Sequence, residues 1–144
     1  PPIAEIQIAL EEAVATVSGD SGDALKARLR TGTVATYADR NWELTYAAQS
    51  RRINQSRAIA LDMESATIAA NGLRMRVPYG TLLCVSDKPL HGELKLPGAA
   101  NLFYQRSVSE HLAAGLETIE ILKRDEGAAL HSRKLRSFDE PPFR

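Results

Sequence analysis

The sequence predicts an α/β layered domain with a mainly parallel sheet, and two patterns carry that prediction. Short apolar runs alternate with longer segments whose apolar residues recur at helical spacing. Each apolar run also ends in a polar cluster, as strands of open parallel sheets do where they meet ligands.

Taken in order, Ile3, Ile6, Leu10, Ala13, Val14 and Val17 fall at helical spacing, with Glu5, Glu11 and Glu12 elsewhere on the wheel. The loop Ser18-Gly19-Asp20-Ser21-Gly22 ends that helix, and a short charged helix is expected around residues 23–29. Thr31-Gly32-Thr33-Val34-Ala35-Thr36-Tyr37-Ala38 reads as a strand because β-branched residues suit a pleated surface. Asp39-Arg40-Asn41-Trp42 is its terminal loop, and residues 43–55 suit a modestly amphipathic helix.

Ala58-Ile59-Ala60-Leu61 is short and apolar enough for a buried strand. Asp62-Met63-Glu64-Ser65 follows at once, then an alanine-rich helix over residues 66–71 that Asn71-Gly72 should stop. Residues 78–85 form a third continuous apolar strand, ended by Ser86-Asp87-Lys88-Pro89. A loop rich in proline and glycine spans 88–100, and Val108, Leu112, Leu116, Ile119 and Leu122 mark a long amphipathic helix. A basic tail follows Gly127. Three strands are few for a parallel sheet that needs both faces covered, so the chain reads as part of a larger one; its start at Pro1-Pro2 fits that expectation.

Composition narrows the function classes. Eighteen basic residues cancel eighteen acidic ones, which argues against general attraction to nucleic acid or to anionic membranes. No apolar stretch approaches the ~20 residues of a membrane span, and no signal peptide is visible, so the expected location is cytoplasmic. The single cysteine, Cys84, excludes a disulfide within the chain. His91, His111 and His131 lack metal-ligand spacing and read as solvent-facing or structural; no metal site is expected. Arg51-Arg52 and Arg133-Lys134-Leu135-Arg136 read as solvated helix faces or oligomer contacts.

The polar clusters at 39–42, 62–65 and 86–87 could line one crevice, or could cap helices and turns. Two of them carry a resemblance. Asp62-Met63-Glu64-Ser65-Ala66, followed after one helix and one strand by Cys84-Val85-Ser86-Asp87, resembles the Met-Glu and Ser-Asp signatures of the purine nucleoside and uridine phosphorylase superfamily. Within it, Arg40-Asn41-Trp42-Glu43-Leu44, Lys88-Pro89 and His131-Ser132-Arg133-Lys134-Leu135-Arg136-Ser137-Phe138 are similar to the AMP nucleosidases.

The resemblance implies a three-layer α/β/α fold of which residues 1–144 form the C-terminal part of the catalytic domain. It implies hydrolysis of AMP to adenine and ribose 5-phosphate, with a phosphorylase-type transfer or a non-catalytic fragment as alternatives. Glu64 then accepts hydrogen bonds from ribose hydroxyls, work that suits an acceptor-only carboxylate, and its charge favours an oxocarbenium-like transition state. Met63 packs on the sugar or fills core, and Asp62 joins the substrate-binding group or caps the next helix.

Asp87, oriented by Ser86, matches the aspartate that protonates purine N7, or else is a strand-end turn residue. As an acid it must carry a proton near neutral pH, far above the ordinary carboxylate value of ~3.9, or be supplied with one through a hydrogen-bonded network. Asn41 or Trp42 would touch adenine, with Trp42 alternatively a buried anchor. The phosphorylases carry aromatic residues where Asn41 and Trp42 stand here, so which of the two meets the base stays open. The resemblance further implies no cofactor for the chemistry, Mg-ATP as allosteric activator, phosphate as inhibitor, and a homohexamer. The phosphate-site loop of the family has no counterpart in these residues and would lie upstream.

Overall fold

The computed structural model describes residues 3–86, 88, 97–124 and 130. Helix α1 (Ala4–Ser18) and helix α2 (Gly22–Arg28) precede strand β1 (Val34–Thr36). A 3-10 helix (Arg40–Thr45) runs into α3 (Tyr46–Ser56), followed by β2 (Ala60–Asp62), α4 (Ser65–Met75) and α5 (Pro97–Lys123). The two strands pair in parallel, with Val34 opposite Ala60 and Thr36 opposite Asp62.

The long helices make the core. Ile6, Ala9 and Ala13 of α1 and Ala114 and Thr118 of α5 are buried where the two helices pack together. Small side chains let the backbones approach, and the Thr118 hydroxyl satisfies itself by donating to the Ala114 carbonyl at 2.7 Å. Surface ion pairs tie the frame. Arg124 Nη1 meets Glu12 at 3.0 Å, and Arg28 Nη1 meets Glu110 at 3.1 Å. Each exposed pair adds little by itself. Helix α1 stops where expected, at Gly19, whose φ of 72° is the left-handed conformation glycine adopts without a Cβ clash.

Four expectations are corrected. The run 78–85 is not a regular strand and is not buried: Leu83, Cys84 and Val85 are exposed. Apolar composition supplied no ladder, and among the described residues the sheet has only β1 and β2. The segment instead lies against the helices, with Gly80 so close to Ile6 that a Cβ there would sit 2.5 Å from Ile6 Cγ2, and with Leu82 O accepting from His111 Nε2–H at 2.8 Å. His111 is thus a structural tie.

Helix α4, second, does not stop at Asn71-Gly72 but runs to Met75 and is capped by Arg76 at φ 56°. Gly72 serves contact there: a Cβ would come within 2.4 Å of the Tyr79 ring. Third, the apolar stripe of α5 does not face the core. Val108, Leu112, Leu116 and Ile119 are all exposed, and the face with Ala114 and Thr118 meets α1. The loop expected over 88–100 yields to helix from Pro97, and residues 89–96 lie outside the described residues.

Candidate active site

Because β1 and β2 are parallel and end in register, the turns that follow them leave the sheet side by side. Tyr37 adds one more ladder bond, its N–H donating to the Asp62 carbonyl at 2.9 Å.

Past β1, Asp39 Oδ1 accepts from Asn41 N–H at 2.7 Å and starts the 3-10 helix. Within it Arg40 grips Glu43 through both carboxylate oxygens, Nε to Oε1 at 2.9 Å and Nη2 to Oε2 at 3.0 Å. Trp42 is half-buried, its ring 5.8 Å from that of Tyr37 at a tilt of 41°. Asn41 is exposed. The expected loop at 39–42 is therefore partly helical, and Trp42 has an aromatic neighbour that sequence reading missed.

Past β2, the Asp62 carboxylate is engaged on both oxygens. Oδ1 accepts from the Thr36 hydroxyl at 2.7 Å; Oδ2 accepts from Ser65 N–H at 2.8 Å and from the Ser65 hydroxyl. Thr36 Oγ1 in turn accepts from Ala66 N–H at 3.1 Å. Partial burial on its own would raise the Asp62 carboxyl. Hydrogen bonds from the Ser65 and Thr36 side chains and from the Ser65 and Glu64 backbone outweigh it and hold the group below the ordinary carboxylate range. Between these anchors Met63 is 43% exposed and Glu64 is exposed, with Glu64 Oε2 accepting from Met63 N–H at 3.2 Å.

Of the residues singled out in the sequence, Asn41, Trp42, Asp62, Met63 and Glu64 stand at the ends of these two paired strands. Ser86 is half-buried at the end of the stretch that crosses α1 and α5. Asp87, His91 and His131 lie outside the described residues. Thr36 was missed as more than a strand former. The available signal was a hydroxyl residue closing one strand and an acidic residue closing the next, 26 positions on.

Residues 3–120 match the phosphorylase superfamily. The chain belongs to that superfamily. Two curated relatives, the AMP nucleosidases of Escherichia coli strain K12 and of Escherichia coli O157:H7, are each 66% identical to it over all 144 residues. The chain spans 30% of the length of each of these relatives. The superfamily assignment agrees with the mixed helices and parallel strand pair, and so with the α/β class expected from the sequence. Among the described residues no helix is long and apolar enough to cross a membrane, and no group of three or more His, Cys, Asp or Glu side chains could hold a metal ion.

Proposed function

We propose that this chain forms part of an enzyme that hydrolyses the N-glycosidic bond of AMP, giving adenine and ribose 5-phosphate. The observation that carries this reading is the 66% identity, sustained along the whole chain, to proteins named AMP nucleosidase. The pairing of the 39–45 and 62–65 turns at one sheet end supports it, since one group of residues suits a base and the other a sugar.

In this reading Glu64 accepts hydrogen bonds from the ribose hydroxyls, and the exposed thioether of Met63 covers the sugar face. Asn41 or Trp42 meets adenine. Asp87, oriented by Ser86, gives its proton to purine N7 while the bond between the anomeric carbon and N9 breaks, its electron pair leaving on the base. Water adds to the anomeric carbon and releases a proton to solvent. Neutralising the departing base is the costly step, for which a placed general acid supplies ~10²–10⁴-fold. The reaction needs no cofactor; Mg-ATP as activator, phosphate as inhibitor and assembly as a homohexamer in the cytoplasm belong to the same proposal.

The test is chromatography of both base and sugar products from AMP, with and without phosphate, for the full natural polypeptide and its Asp87→Asn variant. Free adenine with ribose 5-phosphate is expected, falling ~10²–10⁴-fold in the variant. Ribose 1,5-bisphosphate formed only with phosphate would replace hydrolysis by phosphorolysis. Unchanged rates in the variant would remove Asp87 from the chemistry.

A further inference from the structure

Glu64 occupies the N-cap position of α4 yet makes no side-chain capping bond. Helix starts offer unpaired N–H groups and a partial positive charge that attract nearby carboxylates, and short N-cap side chains ordinarily turn inward to meet them. Here that demand is met from elsewhere. Ser65 N–H goes to Asp62, Ala66 N–H goes to Thr36 Oγ1, and Thr67 and Ile68 N–H go to the Glu64 carbonyl at 3.0 and 3.1 Å. Thr36 is the one residue outside the turn that touches both parts of this arrangement, donating to Asp62 and accepting from Ala66 across 26 and 30 positions of chain.

We infer that Thr36, on the neighbouring strand, and Asp62, at the end of β2, are positioning residues for Glu64: by taking the first N–H groups of α4 they keep the Glu64 carboxylate off the helix start and turned to the substrate, with Oε2 resting on Met63 N–H at 3.2 Å. The inference rests on the reading of Glu64 as the ribose ligand. It changes the expected task of Asp62 from touching substrate to acting through Glu64, because both its oxygens are engaged within the fold. Removing the Thr36 hydroxyl leaves Ala66 N–H without its acceptor and frees Oδ1 of Asp62. Glu64 then competes with the freed Asp62 oxygen for that N–H and is drawn away from the sugar.

Substrate discrimination reads this out where stability does not. Initial rates with AMP and with 2′-deoxy-AMP are compared for the full natural polypeptide and for Thr36→Val, Thr36→Ala, Thr36→Ser and Glu64→Ala, each below its measured Tm. The wild type should prefer AMP, and Glu64→Ala should erase the preference. Thr36→Val and Thr36→Ala should shrink the ratio of kcat/KM values about tenfold, the scale of one hydrogen bond to a charged group, while Thr36→Ser should restore it. Two variants of different bulk guard against a fold defect in either.

A folded Thr36→Ala protein that loses Tm but keeps the wild-type ratio would overturn the inference, reducing Thr36 to a structural cap. Failure of Thr36→Ser to restore the ratio would do the same for its hydroxyl. A preference for AMP that survives Glu64→Ala, or a wild type releasing no adenine, would instead sink the reading of Glu64 beneath it.

Discussion

Beyond β2 the turn at 62–66 is held by hydrogen bonds that reach 26 and 30 positions back to Thr36, whereas beyond β1 the turn at 39–45 is held by bonds of two and three positions. The first kind forms only when the two strands are paired in register; the second can form in a short peptide. The buried Ser65 contrasts with the exposed Asp39 and Arg40 in the same way. Under the glycosidic chemistry proposed above, the two ends would differ for a reason. A carboxylate beside developing positive charge has to be fixed, since electrostatic stabilisation depends on preorganised groups, while a planar base can be met by stacking that tolerates small shifts.

The largest effect should follow from Asp62→Ala. It removes the acceptor for Thr36 and Ser65 together and should cost roughly 2–3 kcal/mol in urea unfolding, since the buried Ser65 and the half-buried Thr36 hydroxyl lose their partner. Acid should erase the difference. The Asp62 carboxyl is lower in the folded protein than its unfolded value of ~3.9, so its contribution is complete above that pH and is lost as pH falls through the folded value. Wild type and variant should therefore converge in stability in strong acid, and a gap that persists there would mean the carboxylate is not the source.

Asp39→Ala should cost about 1 kcal/mol, the usual worth of a side-chain cap at a solvated helix start. If it cost more than Asp62→Ala, the contrast between the two turns would be wrong. Smallest of all, Glu43→Gln should cost under about 0.5 kcal/mol, because its partner Arg40 is 74% exposed, and the loss should vanish in high salt.

Much of the fold was legible. Helix α1 and its glycine stop, β1 and the start of α4 follow from periodicity and from local cap chemistry, while β2 forms later than expected, over 60–62, and is half-buried rather than buried, with Ile59 53% exposed. The cap at Asp62 is readable as well, because an acidic residue before a helix is a local signal. The role of Thr36 is not, since its two partners lie far along the chain. The 78–85 run shows the same limit: apolar content is compatible with a strand, but strand structure requires a neighbour to pair with.

Helix α5 draws the line most clearly. Spacing alone established that Val108, Leu112, Leu116 and Ile119 share one side of a long helix, because 3.6 residues per turn is a property of the backbone. Which side turns inward was settled by the packing with α1, where Ala9, Ala13 and Ala114 allow two helices to approach more closely than the bulkier stripe would. In the same way, residue types marked 62–65 as a candidate turn for chemistry, and only the register of β1 against β2 brought Thr36 to hold it. Local propensities act along the chain, whereas packing and register depend on which distant surfaces meet.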